Sequence, residues 1–311
     1  MPDAPRTPEP LAYLNGRYLP LSQAAVAIFD VGFLQGVTVA EQLRTFAGRL
    51  FRLDLHLARL ARSLELIGVD PGLPLAEIGN IATALVEQNR VLLDPSDDLA
   101  ATIFVTPGNS PTYAAVAPAS GPTVCVHTQP LTFGAWAKKY ETGDSLVVTD
   151  IRHVPRECWP PELKCRSRMH FYLADKQARE IEPGARALLL DERGLVTEAS
   201  TANVVVYHAN RGLISPPKEY ILPGVTVAVV EELAGRIGIA FGHDELTVDD
   251  VAGADEVLLC STSPCTWSVT RLNGQPIGNG KPGPVSQRLR QAWSEMVNLD
   301  IEAQARRFAT R

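Results

Sequence analysis

The stretch LKCRSRMHFYLADKQA, residues 163–178, places Lys164 between an apolar approach and a run that enters a helix. A lysine amine can form a Schiff base with an aldehyde when neighbouring cations or desolvation keep part of it neutral. Arg166 and Arg168 follow at period two, so in an extended run they share a face with Lys164. The other lysines lie in the connector, on a polar helix or in Pro/Gly-rich loops: Lys138, Lys139, Lys176, Lys218 and Lys281. These residues alone leave two interpretations open: a reactive amine, or three basic side chains on a solvent-exposed surface.

A second stretch, LLLDERGLVTEASTANVVVY at residues 188–207, carries Glu198 to a strand end after a glycine-containing turn. A carboxylate in this position can hold a pyridinium nitrogen protonated, which makes the ring a stronger electron sink. A single Glu near a turn is more often simply solvated, and the stretch by itself does not decide between the two interpretations.

Three places are candidates for binding a phosphate. Thr262, with Ser261 and Ser263 beside it, follows a buried-looking strand in ADEVLLCSTS, residues 254–263. The turn at Gly224 opens a helix whose first residues, Val225 and Thr226, offer backbone N–H groups and the positive end of the helix dipole. Arg59, in HLARL, can pair with phosphate through its planar guanidinium, although a surface arginine is the commoner interpretation.

Composition and charge exclude several classes of protein. The 311 residues suffice for two domains, and a net charge of -6 gives no reason to expect nucleic acid or an anionic membrane as partner. The number of cysteines, five, is odd and they are widely spread, so a disulfide framework is not expected. No apolar run is long enough to span a bilayer, and the N-terminus lacks a signal pattern, so we expect a cytoplasmic protein.

The chain divides into four segments. Residues 1–10 are Pro-rich and predict a loose tail, residues 11–128 an N-terminal α/β domain, residues 129–143 a connector, and residues 144–311 a larger C-terminal domain. Short strands with tight turns are expected over residues 11–52, including a hairpin at Asn15-Gly16 and a strand at AVAIFD.

Helical periodicity begins at Asp54, which suits a capping position, and Leu57, Leu60 and Leu64 form one apolar stripe. Other helices are predicted over 75–91, over 169–180, after Gly224, and last over SQRLRQAWSEMV, residues 286–297.

Taken together the chain resembles the class IV aminotransferases, the fold-type IV pyridoxal-phosphate enzymes that include branched-chain and D-amino-acid aminotransferases and aminodeoxychorismate lyases. The matching segments follow the family's order: FDVGFLQGVTVAEQLRTFAGRLFRLDLHLARLARSL (29–64), residues 163–178, GLVTEASTANVVV (194–206), LPGVT (222–226), residues 254–263 and IGNGKPGP (277–284).

The resemblance implies an α/β (α+β) fold, with a smaller N-terminal α/β domain, a larger C-terminal domain with a barrel-like sheet, and a homodimer with its sites near the subunit interface. It also implies that Lys164 forms the Schiff base with pyridoxal 5'-phosphate and moves the proton, and that Glu198 contacts the pyridine nitrogen. The remaining cofactor-binding residues that it implies are Arg59, Leu222, Val225, Thr226, Ser261 and Thr262. The partners are then an amino donor and a 2-oxo-acid acceptor.

The substrate pocket departs from the family's patterns. The Arg-x-His carboxylate trap of D-amino-acid members is replaced here by Thr112 and Ala114, and Thr102 lies where branched-chain members have an arginine. Ala40 and Gln42 flank the glutamate of the family's aromatic-Glu-Gly step. The candidate substrate contacts are therefore Ala40, Gln42, Thr102, Arg166, Arg168 and Ser263, with Arg166 or Arg168 supplying the missing cation. Pairing of these arginines within their own domain is the alternative.

Two further functions compete with transamination. An aminodeoxychorismate-type lyase that releases pyruvate uses the same cofactor scaffold. A cofactor-free binding protein could keep the fold, but the presence of Lys164, Glu198 and Thr262 argues against it. No metal site is expected, because the spacing of Cys158 and Cys165 relative to the nearby histidines fits no common zinc pattern. The GxGxxG match at 278–283 lacks a βαβ context and predicts a loop.

Overall fold

The computed structural model describes residues 9–310, so most of the predicted tail, residues 1–8, lies outside the described part of the chain. The chain divides into two compact units. The first takes in the described residues up to Leu131 together with Leu163–Ser167, and the second takes in Thr132–Glu162 and the residues from Arg168 onward. No helix within residues 9–310 combines the length and apolarity needed to cross a membrane.

The first unit is a sheet covered on one face by helices. Its strands are β1 (Leu11–Leu14), β2 (Arg17–Pro20), β3 (Val39–Phe46), β4 (Arg49–Leu50), β5 (Leu99–Thr106) and β6 (Thr123–Pro130), in the antiparallel order β2-β1-β6-β5-β3-β4. Its helices are α1 (Val31–Leu34), α2 (Leu53–Ile67) and α3 (Leu75–Arg90). Asn15 and Gly16 both have positive φ, as a two-residue hairpin turn requires, which confirms that predicted turn.

Alternation along the strands puts the core of the first unit on one sheet face. Val39, Leu43, Ile103 and Val126 pack with the leucine stripe of α2 and with the apolar side of α3. Asp54 was wrongly predicted to cap α2: the N-cap is Arg52, in the left-handed region, and Asp54 lies within the first turn. A carboxylate there still interacts favourably with the helix dipole.

The second unit is built on strands that close into a ring. The strands are β7 (Asp144–Val148), β8 (Arg186–Leu190), β9 (Val196–Ala199), β10 (Ala202–His208), β11 (Gly212–Ser215), β12 (Phe241–His243), β13 (Glu256–Ser261), β14 (Cys265–Leu272) and β15 (Gln275–Pro276). The pairings run β10-β13-β14-β7-β8-β9, and β9 pairs back onto β10 through Ala199↔Ala202 and Glu198↔Asn203. This closed, barrel-like sheet of six strands confirms the predicted fold class.

The helices of the second unit are α4 (Lys139–Thr142), α5 (Met169–Ile181), α6 (Val225–Arg236), α7 (Val248–Ala252), α8 (Pro284–Val297) and α9 (Ile301–Arg307). Helix α5 packs on β7 and β8 through Ala174 and Ala178, whose small side chains allow a close approach. Periodicity predicted α3, α5, α6 and α8 to within a few residues, whereas α9, one seven-residue amphipathic segment after α8, was missed.

Two further sequence predictions differ from the structure. AVAIFD is not a strand: most of its residues are exposed and have no partner strand among the described residues, and the following residues form α1. Residues 163–167, which the sequence placed within the C-terminal domain, belong to the first unit. The reason is backbone pairing, because Val39 and Cys165 form an antiparallel bridge. The predicted connector, 129–143, contains the end of β6 and the short helix α4.

Candidate functional site

Lys164 lies in a short extended segment paired with β3. The Ala40 N–H donates to the Lys164 carbonyl at 3.0 Å, and the Arg166 N–H donates to the Thr38 carbonyl at 2.8 Å. The Lys164 N–H donates to Ser63 Oγ on α2 at 3.2 Å. The backbone on both sides of the lysine is therefore fixed to one strand and one helix of the same unit.

Arg59 lies one turn before Ser63 on α2, so helical geometry puts it on the same helix face. Its guanidinium makes two hydrogen bonds to Glu41, from Nε to Oε1 at 2.8 Å and from Nη2 to Oε2 at 2.7 Å. His56 Nδ1 lies 2.7 Å from Glu41 Oε2. The structure thus brings Arg59 and Lys164 together, and it adds Glu41, which the sequence analysis did not select.

This cluster is buried and strongly polarised. Burial alone would raise the pKa of Glu41, but the charge and hydrogen bonds of Arg59, the His56 hydrogen bond and the Lys164 charge lower it to about 2. Burial and the charges of Arg59 and Lys164 together lower the pKa of His56 despite the opposing effect of Glu41, so at neutral pH His56 is neutral and donates from Nδ1 to the carboxylate. Glu41 therefore fixes the orientation of Arg59 as a bidentate partner.

The predicted substrate residues of the first unit share one sheet face. Gln42 is directly opposite Thr102, and Thr102 is directly opposite His127, so their side chains lie on the face opposite Glu41. Ala40, two residues before Gln42, is on the same face. Burial and the charge of Arg166 both lower the pKa of His127, which puts Arg166 electrostatically close to this row. Sequence reasoning did not select His127, because only strand register reveals its place.

Glu198 is buried in the second unit at the end of β9. Its Oε1 lies 3.1 Å from His153 Nε2 and 3.4 Å from the Leu222 N–H, so two groups contact the same oxygen. Asn203, directly opposite Glu198 on β10, donates from Nδ2 to the Leu222 carbonyl at 2.9 Å. The carboxylate and the backbone of Leu222 are thereby held next to each other.

Helix α6 begins beside this carboxylate. Its N-cap is Gly224, which offers no side-chain acceptor to the first turn, and Val225 and Thr226 follow as the first helical residues. A Cβ on Gly224 would overlap the Asn203 amide oxygen, so a glycine is required for this close approach. The first turn of α6 therefore has the N–H groups and dipole orientation that bind an anion.

Thr262 and Ser263 lie in the turn that joins β13 to β14, directly after Ser261, the last residue of β13. Ser261 Oγ donates to the Thr201 carbonyl at 3.3 Å, and Thr201 is in the turn that joins β9 to β10. Thr201 and Cys265 both have positive φ, which marks two tight turns. Because Asn203 is opposite both Glu198 and Cys260, the end of the ring brings together all the predicted cofactor residues of this unit.

Arg168 differs from Arg166 in belonging to the second unit, as the N-cap of α5. Within residues 9–310, no group of three or more His, Cys, Asp or Glu side chains is arranged to hold a metal ion. Residues 278–283 lie between β15 and α8 outside any strand or helix, which confirms the predicted loop.

The residues present fit pyridoxal phosphate in their chemistry. The amine of Lys164, on a backbone fixed by hydrogen bonds, suits an aldehyde, and the buried carboxylate of Glu198 suits a pyridine nitrogen. The start of α6, which has no side-chain cap and has hydroxyl groups nearby, suits a phosphate. A Cβ at Gly224 would overlap the Asn203 amide oxygen, so the glycine lets Asn203 keep its hydrogen bond to the Leu222 carbonyl beside Glu198.

Comparison with known proteins gives a consistent picture. The family model for amino-transferase class IV matches residues 38–272. The chain is 31% identical over 283 residues to a D-alanine aminotransferase of Bacillus licheniformis, covering 91% of this chain and 95% of the relative. A D-alanine aminotransferase of Staphylococcus aureus (strain N315) is 29% identical, with 92% and 97% covered.

Solved structures agree in fold. A branched-chain amino acid aminotransferase of T.th., crystallised with pyridoxamine 5'-phosphate, superimposes with a TM-score of 0.83 at 23% identity, covering 93% of this chain and 94% of that one. The branched-chain amino acid aminotransferase from Escherichia coli gives a TM-score of 0.81 at 20% identity, with 93% and 95% covered.

Proposed function

This chain belongs to the class IV aminotransferase family, and we propose that it moves an amino group from an amino acid to a 2-oxo acid through Lys164. The family match confirms the resemblance predicted from the sequence, and the enzyme is a pyridoxal-phosphate-dependent transaminase. The lyase alternative is not favoured, because the relatives described above are aminotransferases.

The observation that carries this proposal is the hydrogen-bonded segment of Lys164, held between β3 and α2 beside Arg59. Pyridoxal phosphate, when bound, supplies an electron-withdrawing ring that acidifies the C–H bond next to the substrate amine. The Lys164 amine would hold the cofactor's aldehyde and then move the proton of that carbon. A fixed backbone limits the positions that the amine can reach, which is what repeated proton transfer requires.

The other cofactor contacts follow from the donor sets described above. Glu198 would bind the pyridine nitrogen, and Leu222 would pack against the ring. The candidate phosphate ligands are Arg59 in the first unit and, in the second unit, Val225, Thr226, Ser261 and Thr262. Support comes from the helix start at Gly224 and from the hydrogen bonds that link Leu222 to Glu198 and to Asn203.

For the substrate carboxylate, Arg166 is the stronger of the two arginine candidates. It follows Lys164 by two residues in the same extended segment, whereas Arg168 caps α5 in the second unit. Its charge acts on His127, which lies beside Thr102 and Gln42 on the sheet face that carries the other predicted contacts. Replacing Arg166 by Gln should raise KM for the amino acid about tenfold or more with a smaller change in kcat. Unchanged KM would exclude it, and Arg168→Gln is the matched comparison.

The chemical step is tested by trapping. Borohydride reduction of the coenzyme-loaded enzyme, followed by mass spectrometry, should find the coenzyme on Lys164, and Lys164→Ala should abolish both trapping and transamination. Lys176→Ala is the control, because Lys176 is an exposed lysine of α5 that pairs only loosely with Glu180. Trapping on another lysine, or activity in the Lys164 variant, would refute the assignment.

The donor is tested with a panel of amino acids of both configurations. Because the curated relatives above are D-alanine aminotransferases, we propose D-alanine as the first donor to test. Conversion of the coenzyme to its pyridoxamine form identifies a donor. Retention of the aldehyde form, with pyruvate released from aminodeoxychorismate, would instead identify the lyase.

We also propose that the protein is a cytoplasmic homodimer. Large apolar side chains are exposed on the first unit at Ile28, Phe33 and Val116, and on α5 of the second unit at Met169 and Tyr172. An interface with another chain would remove these side chains from water, which favours association. Light scattering coupled to size-exclusion chromatography should give twice the mass of 33.7 kDa, and cell fractionation tests the compartment.

A further inference from the structure

His153 has contacts that the proposed reaction does not yet use. It lies in the loop between β7 and α5, and the side chains of His153 and Glu198 are only 9% and 7% exposed. Its Nδ1 is 3.1 Å from the Val154 carbonyl oxygen, and its Nε2 is 3.1 Å from Glu198 Oε1. Both ring nitrogens therefore face an oxygen.

The contacts of the two ring nitrogens determine how many protons His153 and Glu198 share. A carbonyl oxygen only accepts, so a hydrogen bond to Val154 requires a proton on Nδ1. A neutral imidazole would then turn the lone pair of Nε2 toward a carboxylate oxygen, which also only accepts when ionised. Two lone pairs facing each other in a buried place repel, so the 3.1 Å contact requires one further proton between His153 and Glu198.

The neighbouring groups place that proton on the imidazole. Burial lowers the pKa of His153, but the hydrogen bond and charge of Glu198, the Val154 carbonyl and the charge of Asp191 together raise it above its ordinary value. His170, from α5, packs edge-on at 5.5 Å, and its pKa is lowered to about 4 by burial and by the charges of His153 and Arg168. His170 is thus neutral at neutral pH and does not compete for the proton.

We propose that protonated His153 is a positioning residue that holds Glu198 by Oε1 and so presents Oε2 to the pyridine nitrogen of the cofactor. The inference rests on the proposed role of Glu198. With Leu222 N–H on the same oxygen, the carboxylate has two donors on one side and a defined orientation. An imidazolium beside the carboxylate also opposes proton transfer from the ring nitrogen to Glu198, so the ring stays cationic and remains a strong electron sink.

The first test is the protonation state of His153 in the holoenzyme. In protein labelled with 15N-histidine, the nitrogen shifts of His153, assigned by comparison with His153→Gln, should show protons on both ring nitrogens at pH 7. A single protonated nitrogen at pH 7 would overturn the proposal. This measurement does not depend on catalysis or on any substituted protein being active.

The second test is the dissociation constant of pyridoxal phosphate as a function of pH. His153→Phe, which keeps an aromatic ring but no donor, should weaken binding about tenfold or more at pH 7. His153→Gln, which keeps a donor, should recover most of the loss. The ratio of the wild-type affinity to the affinity of His153→Phe should fall as pH rises through the pKa of His153, because the titrations of Lys164 and of the cofactor itself are common to both proteins. A loss that is the same at every pH would indicate packing alone and would overturn the proposal.

His170→Gln is the matched control, because His170 belongs to the same aromatic cluster and is not a hydrogen-bond partner of Glu198 in the contacts described. It should keep the wild-type pH dependence. Glu198→Gln distinguishes failure of the role proposed for His153 from failure of the proposed transamination. If it leaves coenzyme affinity unchanged while borohydride still traps the coenzyme on Lys164, the role of His153 toward the cofactor fails and the proposed transamination survives.

Discussion

Replacing Glu41 by Gln tests the buried cluster in the first unit. The Glu41 side chain is fully buried, and its partners lower its pKa from the ordinary value of 4.5 to about 2. At about 1.4 kcal/mol for each pH unit, that difference corresponds to roughly 3 kcal/mol of stability at neutral pH. Breaking one partner of a buried pair costs a similar amount, about 3–5 kcal/mol, because Arg59 loses its bidentate contact with the Glu41 carboxylate.

The assay must report on the unit that contains Glu41. Trp136, Trp159, Trp267 and Trp293 all belong to the second unit, so tryptophan fluorescence would miss the effect. Hydrogen exchange of peptides from β3 and α2, followed by mass spectrometry, should speed up about 100-fold in Glu41→Gln at pH 7. Glu65→Gln on α2 is the control: Glu65 is 70% exposed in its pair with Arg62, and should change stability by less than about 1 kcal/mol.

The pH dependence of stability shows whether the ionised Glu41 carboxylate stabilises the fold. A carboxylate with a lowered pKa stabilises the fold above its unfolded value and loses that contribution as pH falls through the folded value. In urea unfolding followed by circular dichroism, the wild type should therefore exceed Glu41→Gln by a constant margin down to pH 4.5, and the margin should shrink between pH 4.5 and 2. A margin that is equally large at pH 3 and pH 7, or absent at pH 7, would refute the reasoning.

Two further changes are predicted. Gly224→Ala should weaken binding of pyridoxal phosphate about tenfold or more in a fluorescence titration, because its Cβ would displace Asn203. Gly235→Ala, in α6, meets open space and should add about 0.5–1 kcal/mol of stability in thermal unfolding. Equal effects of the two substitutions on cofactor binding would contradict the packing argument. Cys158 is exposed and should react with Ellman's reagent in the folded enzyme, while Cys260, whose pKa burial raises to about 12, should react only after unfolding. Peptide mass spectrometry identifies the labelled thiols, and labelling of Cys260 in the folded enzyme would contradict this.

The sequence predicts what depends on local rules. The Asn15-Gly16 hairpin, the apolar stripe of α2 and the helix that starts after Gly224 each follow from turn chemistry or periodicity over a few residues. Partners that are far apart in sequence could not be predicted. Glu41 and Arg59 meet only because β3 and α2 pack together, and His153 meets Glu198 across 45 residues of chain.

The pairing of Lys164 with β3 shows the same limit. The sequence placed residues 163–167 in the C-terminal domain because they are continuous with α5, yet main-chain hydrogen bonds attach them to a strand more than 120 residues earlier. Such bonds are indifferent to side-chain identity, so no pattern in the sequence predicts them.

The pairing of β9 with β10 rests on only two residue pairs, and one of them includes Glu198. On its other side β10 pairs with β13 over five residue pairs, none of which includes a proposed coenzyme ligand. A molecule that binds Glu198 would therefore also stabilise the β9–β10 pairing that closes the ring of strands. By mass action, loading the enzyme with coenzyme should slow amide exchange at Ala199 and Ala202 more than at Val205 and Leu258 of the longer junction. Coenzyme concentration would then set how often the β9–β10 pairing opens.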